Sequence, residues 1–179
     1  KKYKGIVKVI NKENGGHGSA INRAIFEAKG LYFMVVDGDD YVDSSNFEKL
    51  IYFLKNYKED VDLIVNPYCE FFNDTFERKQ IDENKTMKKF RIYDFQKINT
   101  SSLYFSMHSS VYKTKILKDN NIKILEHSYY VDCEYMLFPI RYINKILFTD
   151  FEVYVYNKGY PYQSVSIKSF SNNYSQHAN

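Results

Sequence analysis

The stretch Leu31-Tyr-Phe-Met-Val-Val-Asp37-Gly-Asp39-Asp40 decides how the rest of the chain reads. Six apolar residues run without interruption and then give way to three carboxylates within four positions. A short apolar run bounded by turn chemistry is expected to be a buried strand, here of a parallel sheet. Asp37, Asp39 and Asp40 then fall just past its carboxyl end, where open α/β sheets hold their ligands. Carboxylates packed this closely repel one another unless a cation, water or a polar ligand offsets their charge. Hard divalent ions such as Mg2+ or Mn2+ prefer oxygen-rich surroundings, above all where they also hold substrate phosphates. The stretch therefore reads as a metal–nucleotide site.

Outward from it the chain alternates between strand and helix patterns. Upstream, Ile6–Ile10 alternates and is β-branched, which predicts a strand. Asn14-Gly-Gly-His-Gly18 is a glycine-rich turn, and a helix is expected over Ser19–Lys29 with Gly30 as its stop. A glycine loop opening a helix brings backbone N–H groups close to a diphosphate, although this one is neither a dinucleotide fingerprint nor a Walker loop. Downstream, Asp43 to Asn46 offers capping residues for a helix through about Tyr57, with Phe47, Leu50, Ile51 and Leu54 on its apolar face. Val61–Asn66 reads as a buried strand. More exposed strands are expected at Tyr68–Phe76 and Lys88–Ile92, joined by a charged linker from Glu77 to Thr86. A short helix is expected within Asp94–Leu103, a strand at Ser109–Lys113 and a helix at Thr114–Asn120. A further helix is expected from Asp132 to Ile143, then strands at Ile146–Phe148 and Glu152–Tyr156.

At 179 residues the chain suits one domain, and 44% hydrophobic with 26% charged residues is ordinary for a globular protein. A net charge of +3 gives no nucleic-acid footprint. Cys69 and Cys133 lie far apart without metal-ligand spacing, as expected of two reduced thiols in the cytoplasm. The sequence contains no apolar run of membrane-spanning length, about 20 residues.

Three readings of the carboxylates compete. An EF-hand loop would use Asp37, Asp39 and Glu48 at its first, third and last positions. Tyr41 and Val42 then stand where an oxygen ligand and a glycine are needed, so that reading fails. A haloacid-dehalogenase-like phosphatase also places D-x-D after a buried strand, with Asp37 as nucleophile, but continues differently from Asp40-Tyr41. The third reading is the D-x-D of a nucleotide-sugar transferase.

The third is carried by a combination. Asn14-Gly-Gly-His-Gly-Ser-Ala20-Ile-Asn22-Arg-Ala24, then Ala28-Lys-Gly30-Leu-Tyr, then the strand into Asp37-Gly-Asp39-Asp40, resembles the centre of a glycosyltransferase family 2 domain. That resemblance is clearest over residues 10–55. It implies an α/β fold: a GT-A-like, Rossmann-type three-layer sandwich binding a nucleotide-diphospho-sugar with Mn2+ or Mg2+. By resemblance, Asp37 lies near the ribose and Asp39 holds the metal, with Asp37 beside it and Asp40 assisting. Gly16, Gly18 and Asn22 lie near the nucleotide. Ile21 departs from the family, which often has Arg there. Asp132 matches the Asp of the family's E-D pair and takes the catalytic base role, with Val131 where the Glu usually stands. Gln163-Ser164-Val-Ser166 resembles a late S-x-S segment that places Ser164 at the donor cleft; His177 is a candidate for the late metal-ligating His of some relatives, but a lone His near the chain's end reads first as a solvent-exposed one.

The family's opening S-V-I-I-P-x-Y-N and D-D-G-S-x-D strands have no counterpart here. The expectation is a single catalytic-domain fragment over 1–179 that lacks the first strands and is inactive in isolation. Residues 1–66 form its nucleotide- and metal-binding part and 67–179 its acceptor side. The implied reaction is inverting transfer from a UDP-sugar to an acceptor hydroxyl of a glycan or lipid-linked acceptor in bacterial polysaccharide or glycoconjugate synthesis. Its implied place is the cytoplasm, at the inner face of the membrane. A non-catalytic sugar- or partner-binding domain of the same fold stays open beside it.

Overall fold

Residues 5–159 are described by the computed structural model of the protein. Among these residues four helices, α1 (Gly16–Glu27), α2 (Ser44–Asn56), α3 (Thr114–Asp119) and α4 (Val131–Ile140), surround two sheets. The five-stranded sheet has the order β1 (Tyr32–Phe33), β7 (Ser110–Lys113), β3 (Leu63–Val65), β8 (Lys145–Phe148) and β6 (Ile92–Asp94). The four-stranded sheet has the order β2 (Tyr41–Val42), β9 (Tyr154–Lys158), β4 (Tyr68–Phe72) and β5 (Glu77–Ile81).

The alternation of side chains along the central strands builds three layers. Leu63, Val65, Tyr112, Ile146 and Phe148 face α1, α3 and α4 through Ile21, Ile25, Ile116, Leu117, Val131 and Tyr135. Ile64, Val111 and Leu147 face the other way, against Phe53 and Leu54 of α2. Covered on both sides, β3 reads as an unbroken apolar run, as expected of a sheet centre. Its pairing with β8 is parallel and with β7 antiparallel, so the sheet is mixed. The α/β sandwich is the expected fold class.

Several expectations are corrected. The apolar run into Asp37 is neither long nor parallel as a strand. Only Tyr32 and Phe33 pair, antiparallel to β7 at the sheet edge. Beyond Phe33 the chain leaves the ladder, with Val35 buried and Val36 41% exposed, so apolar content outlasts the strand. Ile6–Ile10 alternates but forms no ladder among the described residues, and Ile6, Val7 and Val9 are exposed. Periodicity without a partner edge makes no strand.

The expected linker after Phe76 begins with β5, which hairpins onto β4 with Tyr68 opposite Ile81. It escaped notice because four of its five residues are exposed and polar, leaving no alternation to read. The strand expected at Lys88–Ile92 lies at Ile92–Asp94, and Asp94–Leu103 holds only a single 3-10 turn, Thr100–Ser102. Helix α1 begins at Gly16, inside the expected turn, and ends at Glu27 before Gly30. By contrast α2 starts where its cap predicts, since the Asp43 carboxylate accepts the Asn46 backbone N–H at 3.0 Å. Both cysteines are free, Cys69 buried and Cys133 exposed. Ser164, His177 and the Gln163–Ser166 segment lie outside the described residues.

Candidate functional site

The carboxylate loop is fastened to the second sheet more than to its own strand. Because β2 begins immediately after Asp40 and pairs with β9 (Tyr41 opposite Val155), residues 37–40 lie along one end of β9. The Asp40 carboxylate accepts the Asn157 backbone N–H at 2.8 Å on Oδ1 and the Tyr154 hydroxyl at 2.5 Å on Oδ2. Asn157 Nδ2 donates to the Asp39 carbonyl at 3.0 Å, and the Asp37 N–H donates to the Tyr154 hydroxyl oxygen at 3.2 Å. Burial pushes the Asp40 carboxyl above its ordinary range, and the charges of Asp39 and Asp37 push the same way. The Asn157 and Tyr154 hydrogen bonds pull against it. Tyr154 is itself fully buried, and burial holds its phenol far above the ordinary value. Asp39 carries the loop's more exposed carboxylate.

Two histidines close on this loop. His17, in the first turn of α1, places Nε2 3.1 Å from Asp37 Oδ1. The hydrogen bond to Asp37 raises its imidazole above the usual range against the opposing effect of burial, and the charges of Asp37 and Asp132 add to the rise. His108 comes from the 3-10 turn Met107–Ser109, which leads into β7. Its ring stacks on Tyr156 at 4.6 Å between centroids, packs edge-to-face with Tyr154 at 4.8 Å and lies tilted against Tyr68 at 5.1 Å. Burial holds it below the ordinary imidazole value. Its Nδ1 is buried with no hydrogen-bond partner. One ligand atom from each of Asp37, Asp40 and His108 lies within 4.8 Å of the other two.

Asp132 stands in the first turn of α4, where the helix dipole favours a carboxylate, and its charge reaches both His17 and His108. The segment before it is held against α1. Asn22 mimics a backbone partner: its Oδ1 accepts the Ile124 N–H and its Nδ2 donates to the Ile124 carbonyl, both at 2.8 Å. The His127 N–H donates to the Gly15 carbonyl at 2.8 Å, and the Glu134 carboxylate accepts the Leu125 N–H at 2.7 Å. A side chain at Gly18 would place its Cβ 2.0 Å from the Leu125 carbonyl oxygen. Gly16 has φ +78° with the His127 backbone close by. Tyr130, immediately before α4, is left-handed at φ 61°.

Asp37, Asp39 and Asp40 thus share one loop, His17 and His108 close on it, and the charge of Asp132 acts on both histidines. Gly16, Gly18 and Asn22 instead contact the 124–127 segment. Beside Asp37 a cavity of about 360 Å³ opens between His17, Ala20 and Ala24 of α1 and residues 33–38. Ile21 lines it and is also buried in the core, where the family often carries Arg. His108, Tyr154 and Asn157 were missed by sequence reasoning. The Tyr154/Tyr156 alternation on β9 signals a shared face, but nothing in it names the loop that face meets.

A mixed α/β sandwich with its acidic loop beyond a sheet edge is the frame of a GT-A-like fold. The solved structure of S. aureus TarS 1-349 in complex with UDP-GlcNAc superposes with a TM-score of 0.63, covering 89% of this chain and 45% of that one at 20% identity. The family profile of glycosyl transferase family 2 matches residues 1–120. The chain belongs to that family. Among curated relatives, the uncharacterized glycosyltransferase EpsJ of Bacillus subtilis is 33% identical over 88 residues, 46% of this chain and 24% of its own. The uncharacterized glycosyltransferase MJ1057 of Methanocaldococcus jannaschii is 27% identical over 127 residues, 70% of this chain and 40% of its own. This chain therefore spans about a quarter to two-fifths of the length of those relatives. Among the described residues no helix is long and apolar enough to cross a membrane.

Proposed function

We propose that the whole protein transfers a sugar, with inversion, from a nucleotide-diphospho-sugar to an acceptor hydroxyl. A UDP-sugar is the first donor to test, because the TarS structures that share this fold hold UDP-GlcNAc and UDP. What supports the reading is that Asp37 of the acidic loop and Asp132 of α4 act through their charges on the same two histidines, His17 and His108, in a family 2 chain.

The donor set fits a divalent ion: carboxylates of restrained geometry stand beside a buried imidazole nitrogen that no protein group satisfies. Asp37 and Asp39 would hold such an ion from the loop, and Asp40, fixed by Asn157 and Tyr154, keeps lone pairs with which to join them. When bound, Mn2+ or Mg2+ neutralises charge on the departing diphosphate. Asp132 is the general base. It accepts the acceptor hydroxyl's proton as that oxygen bonds to the anomeric carbon, while the bond from carbon to the diphosphate oxygen breaks. His17, held by Asp37 at the opening of α1, orients that carboxylate.

On this reading residues 1–66 supply the donor side and 67–179 the acceptor side, with Asp132 and His108 reaching across. Gly16, Gly18 and Asn22 serve the nucleotide indirectly, by holding α1 and the segment before Asp132 in place, and Ser164 keeps the donor-cleft role that resemblance gives it. The acceptor is a glycan or lipid-linked glycan of bacterial surface polymer synthesis, handled in the cytoplasm at the inner membrane face. The relatives that bear on this include a teichoic acid poly(glycerol phosphate) polymerase of Staphylococcus epidermidis, 26% identical over 136 residues.

The test is UDP-sugar turnover by the full-length protein with Mn2+. Asp39→Ala and Asp132→Asn are each expected to lower kcat by about a thousandfold, within the range for general acid–base and charge-stabilising groups. Full activity in both variants overturns the assignment.

A further inference from the structure

We propose that His108 is a direct nitrogen ligand of the divalent ion, completing a ligand set with Asp37 and Asp40. This rests on the reading above and adds to it a residue distant in sequence from the carboxylate loop. Three independent features of the structure carry it.

First, distance. One imidazole nitrogen and one oxygen from each of Asp37 and Asp40 all lie within 4.8 Å of one another, a separation that a single ion drawing its ligands inward bridges. Second, an unmet polar atom. His108 Nδ1 is buried and lacks a hydrogen-bond partner, whereas buried polar nitrogens are nearly always satisfied. An imidazole that ligates a metal through one nitrogen ordinarily has the other oriented by a partner, and here the surroundings orient the ring by shape. Tyr156 stacks on its face while Tyr154 and Tyr68 flank it. The turn that carries it is fixed by reciprocal Ser106–Ser109 hydrogen bonds between the buried neighbours Met107 and Ser109.

Third, the carboxylates have capacity left. Each oxygen of Asp40 accepts one protein hydrogen bond, from Asn157 or from Tyr154, while a carboxylate oxygen offers about two acceptor sites. Tyr154 therefore does two tasks: it holds Asp40 through its hydroxyl and His108 through an edge-to-face ring contact. Carboxylate oxygens with one imidazole nitrogen favour a first-row transition ion such as Mn2+ over Mg2+.

The experiment is electron spin-echo envelope modulation of Mn2+ bound to the full-length protein, which detects nitrogen-14 coordinated to the ion. The described chain and its tail contain four histidines, His17, His108, His127 and His177, so each is replaced by Gln in turn. Nitrogen modulation is expected in the wild type and in H17Q, H127Q and H177Q, and is expected to vanish in H108Q with Mn2+ affinity down about tenfold. Mg2+ affinity is expected to change much less. If H108Q does not fold, H108A, which removes the nitrogen without adding a polar group to the buried pocket, is read in its place. Modulation lost in H17Q, H127Q or H177Q, retained in H108Q, or missing from Mn2+-bound wild type overturns the proposal while leaving a carboxylate-held ion intact. No Mn2+ binding by the wild type, with or without UDP, overturns both.

Discussion

The two flanks of the candidate site are built on opposite plans. On the α1 flank, the residues that most resemble a family motif, Gly18 and Asn22, use their backbone clearance and their amide group to hold another part of the chain. On the β9 flank, residues of no recognisable motif, Tyr154 and Asn157, hold the acidic loop so that its carboxylates converge near an imidazole. On the α1 flank motif resemblance thus goes to clamping a neighbouring segment, while on the β9 flank residues outside any motif shape the acidic loop. The glycine–asparagine pattern serves the site through position, because the 124–127 segment it clamps leads directly into the helix that presents Asp132.

The hardest way to break this contrast is to fill the clearance at Gly18. Gly18→Val would drive a side chain into the Leu125 carbonyl, where a Cβ already meets oxygen at 2.0 Å. The expected cost is about 3 kcal/mol, at the upper end for overpacking, read as a lower urea midpoint. Gly38, inside the acidic loop, has nothing within 4 Å of its Cβ position, so Gly38→Ala should move stability by only about 0.5 kcal/mol. Equal effects would erase the distinction between the flanks.

Next in size is Asn22→Ala, which strands the Ile124 N–H and carbonyl together. A loss of about 2 kcal/mol is expected, as for buried polar groups left without partners. Faster amide hydrogen exchange confined at first to residues 124–130 would show that the clamp is local. Unchanged exchange there would mean the segment is held by other contacts.

The smallest effect separates the flanks by pH. The Asp37 hydrogen bond raises the His17 imidazole above 6.5 in the folded chain. Its contribution to stability is therefore fully present below the unfolded value and fades as pH rises through the raised one. In chelator, to keep the metal out, the stability gap between wild type and His17→Asn should be larger at pH 6 than at pH 9. Solvent screening keeps it small, since the His17 side chain is 40% exposed. A gap that grows with pH would show that the pair does not form as described.

Much of the fold was legible because its central elements follow simple periodicity. The Leu63–Val65 strand is apolar on both faces, and Asp43 announces α2 through its cap. What escaped was structure decided by partners. Ile6–Ile10 has the right alternation without a ladder, while Glu77–Ile81 has a ladder with Tyr68–Phe72 but no alternation. The site divides the same way. Asp37, Asp39 and Asp40 were visible because charge follows an apolar run at once. His108, Tyr154 and Asn157 were not, because tertiary contact alone brings them in, with Asn157 arriving from 117 positions away.

In the proposed mechanism the Asp37–Asp40 loop is the metal–nucleotide centre and Asp132 is reserved for the proton. Calorimetric titration of UDP into the full-length protein, with and without Mn2+, tests it most directly. Mn2+-dependent binding is expected, abolished by Asp37→Ala and by Asp39→Ala and left within about twofold by Asp132→Asn, since a general base is not needed to hold the leaving group. Binding that ignores Mn2+ and survives both loop substitutions would contradict it.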